Sequence, residues 1–465
     1  MKLTILLTTV LLTVTMTVSA QQRYVGGDIS LLPTYEANGA WWIDADNQHI
    51  TDMLQYLKSQ GFTSLRVRLF VDPSNAHQAH KMQGVRQDLA YVKDLGRRIK
   101  AAGFTFLLDF HYSDTWADPG KQFTPDAWLS LTDEQLYQKI YDYTRDCLQQ
   151  LVAAGATPDF IQTGNEISYG MLWGKGVKTI DTYKVSANGV EGKVEYSYNS
   201  PSYKLCYYDN SHEANWQRFI KLLKQAGKAC REVCPEAKII LHSERVPRPA
   251  NISNFMQRMQ DSGVDYDILG LSYYPYIHGS LTQLELALNR TASYDKDVMI
   301  VETGYYYAWE PSDVETSQKA TWPITPQGQA AYVRDLVAYL KDKPRVVGLY
   351  WWAVENTENG INDWNNKRVT DGWVNYSLFN DKDGSVWGYG KVMPAMAELK
   401  AFAEGSSTGI VGVSKDEEGG RRNEEGGMRN EERYGRWYTP DGIRLDSHPL
   451  RPGIYIRDGR KVIVK

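Results

Sequence analysis

The chain is short of several things. It has no strong charge of either sign: 52 Lys and Arg stand against 56 Asp and Glu, a formal net charge of −4. That leaves no electrostatic reason to bind nucleic acid or an anionic membrane. Beyond residue 20 it has no uncharged apolar run long enough to cross a bilayer. It has only 4 cysteines and no Cys-x-x-Cys pair, so zinc-ribbon and thioredoxin chemistry have no support. No glycine-rich phosphate fingerprint follows the first apolar run, which removes the main argument for a doubly wound nucleotide-binding sheet.

What is present is a large core and an unusual set of rings. Hydrophobic residues make up 42 % and charged residues 23 %, ordinary for a globular protein and against wholesale disorder. The 14 Trp and 31 Tyr outnumber 11 Phe. Flat rings with a polar handle suit a wet surface that stacks on sugars or on a partner.

The two ends read differently from the body. Residues 1–20 have the form of a secretory signal peptide. Lys2 leads an apolar, threonine-laced stretch that ends in Val18-Ser19-Ala20, a small-residue cleavage site. An exported location (periplasm, cell surface or medium) is therefore expected. An even cysteine count in such a protein permits two disulfides. Cys230 and Cys234, four apart on one expected helix, are poorly placed to pair together. Bridges to Cys147 or Cys206, and buried free thiols, both stay open. Residues 406–436 are expected to form a flexible linker, since the segment is charge- and glycine-rich with a near-repeat of EEGGxRN. Residues 437–465 are expected to form a short β tail, with runs at 453–457 and 461–464 flanking the turn Asp458-Gly459 as a hairpin. The pattern PxGIYIxxGRKVxVK resembles the C-terminal β-modules of exported Bacteroidetes proteins, which again implies export or surface sorting.

Residues 21–405 alternate between short apolar runs and longer amphipathic ones. Strands are expected at 24–29, 64–69, 104–110, 160–163, 239–241, 268–272, 298–301 and 347–351, all apolar enough to be buried on both faces. Between them, residues 216–234 carry one apolar helical stripe. Thr132 and Gln135 form a capping-box start, and Thr124-Pro125 and Thr325-Pro326 put Pro at a first helical position. Eight strand–helix units predict an α/β fold, a (β/α)8 TIM barrel with a short C-terminal β tail. A doubly wound open sheet is the runner-up.

A barrel carries its chemistry where its strands end. Those ends read Asp28, Arg66 and Arg68, Asp109 with His111 and Tyr112, Asn165-Glu166, His242, Tyr273, Glu302 and Trp351. A single Asn-Glu or Glu-Thr is commonplace, but two glutamates at the ends of strands four and seven face one mouth. Glycoside hydrolysis needs such a pair, one carboxyl to protonate the leaving oxygen and another on the opposite side of the anomeric carbon, which attacks directly if it stands about 5–5.5 Å away. On this reading Glu166 is the acid/base and Glu302 the nucleophile. Asn165 contacts the sugar 2-OH, Tyr273 donates to Glu302, Arg66 adds positive charge, His242 and His111 tune Glu166, and Trp351 forms a floor. Asp28, Asp109 and Trp116 complete the expected substrate-binding set.

The motifs also resemble a known family. GGDIS at 26–30, RVRLFVDP at 66–73, DFHYSDTWADPGKQ at 109–122, QTGNEI at 162–167, LSYYPY at 271–276 and VETGY at 301–305 look like glycoside hydrolase family 53, the arabinogalactan endo-β-1,4-galactanases. The resemblance runs in order through nearly all of residues 24–403. It implies a clan-A barrel, a retaining mechanism with Glu166 and Glu302 in the roles above, and internal cleavage of the β-1,4-galactan side chains of pectin by a monomer. The chain departs from the family where Tyr-Trp-Glu-Pro is usual and Tyr350-Trp351-Trp352-Ala353 stands instead. It departs again at Gly304-Tyr305-Tyr306-Tyr307, and its loop 168–210 is long and Tyr-rich. These changes bear on cleavage pattern. Trp173, Trp309, Trp352 and Trp373 are candidates for outer subsites, with core packing an equal alternative.

No cofactor is expected for the chemistry. Some bacterial members of the resembled family hold a structural calcium in the loops after strands seven and eight. Residues 355–366 and 380–384, with Asp363, Asp381 and Asp383, have hard-cation composition but no complete ligand pattern, so solvated turns are the better reading. The competing functions are another clan-A endo-glycanase, such as a mannanase or cellulase, and a non-catalytic glycan-binding barrel.

Overall fold

The computed structural model of the protein describes residues 22–404, apart from 78–79, 82, 182–183, 187–188, 192–193, 198–202, 210, 309–320, 358–376 and 381–388, together with 437–438, 444–445, 453–457 and 460–464. The expected signal peptide, the linker, Trp309, Trp373 and the three calcium-candidate aspartates lie outside the described residues. The chain divides into two units, residues 1–408 and 409–465.

The first unit is a closed eight-stranded parallel barrel. Its strands are β1 (Tyr24–Asp28), β2 (Ser64–Leu69), β3 (Thr105–Phe110), β4 (Phe160–Thr163), β5 (Lys238–Ser243), β6 (Ile268–Tyr273), β7 (Asp297–Thr303) and β8 (Val346–Trp351). Each is followed by a helix: α1 (Met53–Ser59), α2 (Leu89–Ala101), α3 (Asp133–Ala153), α4 (Glu213–Val233), α5 (Pro249–Asp261), α6 (Leu281–Thr291), α7 (Pro326–Lys341) and α8 (Pro394–Leu399). This is the (β/α)8 architecture. The barrel closes where β1 pairs with β8, Tyr24 opposite Gly348 and Gly27 opposite Trp351. Between β4 and β7 stand β5 and β6 on one side and the other four strands on the other, so the two strands face across the mouth.

Local sequence explains the helix starts. Thr132 and Gln135 cap α3 reciprocally, and Thr325 caps α7 with Pro326 in its first turn. Thr124-Pro125 opens only a single 3-10 turn, Asp126–Trp128. On α4, Trp216, Phe219, Ile220, Leu223, Ala226 and Cys230 are buried as one stripe.

The barrel's lower interior is filled by Leu107, Phe160, Ile240, Ile268, Met299, Val301, Val347 and Tyr350, with Tyr24 packed against them. Tyr350 lies flat over Gly26. A Cβ at that position would sit 2.2 Å from the ring, so only glycine fits. The Tyr350 hydroxyl bonds Ser64 Oγ at 2.7 Å, which satisfies that buried polar atom.

Cys147, Cys206, Cys230 and Cys234 are buried and form no disulfide; their thiols act as small core groups. After β4 the chain forms two short antiparallel pairings, Val177–Asp181 with Val194–Ser197 and Lys184–Ser186 with Gly189–Glu191. Among the described residues no helix is long and apolar enough to cross a membrane. The second unit is a four-stranded antiparallel sheet in the order Arg444–Leu445, Trp437–Tyr438, Gly453–Arg457, Arg460–Val464. Its hairpin pairs Gly453 with Val464 and Arg457 with Arg460.

Candidate active site

Inward-facing side chains turn polar towards the C-terminal end of the barrel. The hub is Arg66 on β2, fully buried. Its Nη1 is 3.0 Å from Asp28 Oδ2, and its Nη2 is 2.7 Å from Asp109 Oδ2, 2.9 Å from Glu302 Oε1 and 2.9 Å from Asn165 Oδ1. A buried guanidinium needs such neighbours, and they in turn need it. Arg68 pairs with Asp28 at 3.0 Å and lies over the Trp116 ring, 4.7 Å from its centroid. His111 accepts the Ala117 N–H at Nδ1, so Nε2 carries the proton and donates to Asp109 Oδ2 at 3.1 Å.

Above this brace opens a cavity of about 690 Å³. Glu166, Glu302, Arg66, His111, Trp116 and Asn165 all line it. Asp28, Asp109 and His242 sit behind its wall and hold the residues that line it. Two expectations are corrected. Tyr273 points away from the mouth and donates to the Gly279 carbonyl at 3.0 Å; its neighbour Tyr274 donates to Glu302 Oε2 at 3.0 Å. Trp351 is fully buried beside Tyr332 of α7 and cannot be a floor, while Trp352 lines the cavity. Both corrections have one cause: alternate residues of a strand face opposite sides. Of the outer-subsite candidates, Trp173 is wholly buried, with its indole N–H on the Tyr169 carbonyl.

The two glutamates differ in what surrounds them. Glu302 faces a guanidinium and a phenol. Glu166 has one side-chain donor among the described residues, Ser272, whose hydroxyl reaches Oε1 at 2.6 Å. Behind Ser272 stands His242. The Glu166 backbone N–H donates to His242 Nδ1 at 3.2 Å, which leaves the proton on Nε2, 2.8 Å from Ser272 Oγ. Burial pushes the Glu166 carboxyl well above its usual range, and the nearby Glu302 and Glu244 carboxylates push it further. At Glu302 burial and the nearby Asp109 and Asp28 carboxylates also raise the pKa, and Arg66 and the Tyr274 hydroxyl hold that rise back. The pair therefore holds its proton on Glu166. Burial holds His242 well below its normal range, so it stays neutral.

The backbone is strained where these groups are presented. Glu166 has φ 47°, and Tyr112 and Ala353, just past β3 and β8, have φ 49° and 57°. Left-handed backbone at non-glycine residues is costly and clusters at working sites. Three lining or supporting groups escaped the sequence reading: Ser272, Tyr274 and Glu244. A period-two count along β5 and β6 would have found them, since Ile240, His242 and Glu244 fall on one face, and Ile268, Ser272 and Tyr274 on another. No group of three or more His, Cys, Asp or Glu arranged to hold a metal occurs among the described residues.

Comparison with known proteins agrees with this geometry. The model of glycosyl hydrolase family 53 matches residues 24–395. An arabinogalactan endo-beta-1,4-galactanase of Cellvibrio japonicus is 32 % identical over 342 residues, covering 70 % of this chain and 79 % of that one. An endo-beta-1,4-galactanase of Bacillus subtilis is 28 % identical over 335 residues, covering 70 % and 68 %. Among solved structures, the GH53 catalytic domain of Ignisphaera aggregans superposes with a TM-score of 0.65 at 28 % identity, over 82 % of this chain and 96 % of that one.

Proposed function

We propose a substrate and a mechanism on one premise: the chain belongs to glycosyl hydrolase family 53. It is an endo-acting hydrolase of β-1,4-galactosidic bonds in (arabino)galactan, the side-chain polymer of pectin. Relatives named as galactanases support that substrate. The protein is exported by way of residues 1–20 and meets its polymer outside the cytoplasm, a reading supported by the leader-like composition of that segment.

The reaction is a double displacement with retention. Glu302 attacks the anomeric carbon while Glu166 gives its proton to the glycosidic oxygen. The bond to the departing sugar breaks and a galactosyl ester of Glu302 forms. Glu166, now a carboxylate, takes a proton from water as that water attacks the same carbon, and the ester bond to Glu302 breaks. The observation that carries this assignment is the unequal surroundings of the two carboxyls within one cavity: Arg66 and Tyr274 against Glu302, Ser272 alone against Glu166. The first keeps an ionised nucleophile; the second keeps a proton available.

The test is hydrolysis of linear β-1,4-galactan, β-mannan and β-glucan side by side, with the anomeric configuration of the first products followed by NMR. Release of β-configured galacto-oligosaccharides from galactan alone is expected, and Glu302→Ala should abolish it in a folded protein. α-Configured products would overturn the retaining mechanism. Tight binding without products would make the barrel a glycan-binding protein.

A further inference from the structure

Just past β5 the inward-facing series Ile240, His242 continues to Glu244, and the next residue, Arg245, enters the cavity wall beside it. Glu244 is 2 % exposed. Its ion partner is Arg245, whose Nε is 2.6 Å from Oε1. Arg245 is held a second time, by Tyr169. Its Nη1 donates to the Tyr169 hydroxyl at 2.7 Å, and its guanidinium lies 4.8 Å from the centre of that ring. Tyr169 packs in turn edge-on against Tyr207 and Tyr208. Among the described residues Nη2 of Arg245 has no partner. A carboxylate buried beside the acid Glu166 is expensive, and one arginine is a minimal counterion. Arg245 lines the cavity beside Glu166, where its free Nη2 faces a bound ligand.

The side of the cleft follows from the barrel order. On the glycoside-hydrolase reading the attacked sugar sits over Glu302, against the brace that β1–β3 supply through Asp28, Arg66 and Asp109. β5 stands on the other arc between β4 and β7, across from β1–β3, so the departing sugar is placed against the β5 side of Glu166, away from the brace. We propose that Arg245, braced by Glu244 and Tyr169, binds the sugar unit on the leaving-group side of Glu166 and so recruits the same unit as acceptor in the reverse step; this rests on the glycoside-hydrolase reading above. The ligand is a neutral β-1,4-linked hexose. The Glu244–Arg245 pair is balanced in charge, which disfavours an anionic ligand, and a planar guanidinium offers parallel N–H donors to neighbouring hydroxyls. Glu244 and Tyr169 are positioning residues.

The test separates the two sides of the cleft. A galactobioside with an activated aryl leaving group loads the covalent intermediate without a sugar beyond Glu166. Its partition between water and added β-1,4-galactobiose then reports on that side alone. Arg245→Lys and the double variant Glu244→Gln/Arg245→Gln, which removes both charges together, are compared with the wild type, with circular dichroism to verify folding. The transfer-to-hydrolysis ratio should fall by about tenfold or more, and kcat/KM on galactan should fall at least tenfold further than on the aryl substrate. Tyr169→Phe should give a smaller loss of the same ratio. An unchanged ratio in a folded variant, or equal losses on polymer and aryl substrate, overturns the proposal. If the wild type instead cleaves another β-1,4-glycan, the galactan reading fails, and the same partition with that glycan's disaccharide decides the role of Arg245. A wild type inactive on every such glycan overturns both.

Discussion

The hydroxyl of Tyr274 donates to Glu302 Oε2 over 3.0 Å, while that of the adjacent Tyr273 goes to a backbone carbonyl. The two tyrosines should therefore fail differently. Tyr274→Phe removes a donor to the ionised nucleophile, so kcat should drop by about tenfold. The acidic limb of the pH–rate profile should move up, because that hydrogen bond lowers the Glu302 pKa. Tyr273→Phe should leave the profile in place and cost about 1 kcal/mol of stability through the orphaned Gly279 carbonyl. Matching pH profiles for the two variants would refute the assignment.

Ser272 couples His242 to the proton-bearing carboxyl. Its hydroxyl favours the ionised form of Glu166. Ser272→Ala should therefore raise the Glu166 pKa and carry the alkaline limb of kcat/KM upward. The second step, which needs Glu166 as a base, should slow relative to the first. Steady-state profiles with burst kinetics on an aryl substrate check both effects; a downward shift of the alkaline limb would contradict the relay.

Arg66 is the counterion of three buried carboxylates. Arg66→Met should cost roughly 3–5 kcal/mol of stability, the usual penalty for leaving buried charge unpaired. Activity should vanish as well, since Glu302 would no longer be held ionised. Denaturant titration gives the first figure. A variant as stable as the wild type would mean that the brace contributes nothing to folding.

Glu355, beyond β8, accepts the Leu31 N–H at 2.9 Å, and its second oxygen is buried without a hydrogen bond. Burial, with Asp28 nearby, lifts its pKa to about 8 from the ordinary 4.5. The folded chain thus keeps a proton that the unfolded chain has released between those values, and stability falls as the pH rises through that window. Glu355→Gln should flatten this loss: its Tm at pH 8.5 should exceed that of the wild type, and the gap should narrow at pH 5. Parallel Tm–pH curves for the two proteins would exclude this role.

The barrel was legible because strands buried on both faces are apolar runs, and every one of the eight runs is a strand. The edges were less so. The ladder continues through polar residues such as His242, Ser243, Glu302 and Thr303, which a search for apolar runs stops short of. The same limit misplaced part of the site. Glu166 and Glu302, which line one cavity, were legible because they end strands in recognisable motifs. Tyr273 was taken for the donor to Glu302 in place of Tyr274, and Trp351 for the floor while Trp352 was given only an outer subsite, although alternation from Ile268 and Tyr350 in the inner layer points each time to the later residue. Arg245 carries no such signal, since its place depends on a pairing with Glu244 and Tyr169 that only the folded chain creates.

The positive φ of Glu166 has an evolutionary edge. Glycine at that position would relax the main chain and abolish proton donation in the same step. Selection for heat resistance alone would thus be rewarded for discarding the proposed acid.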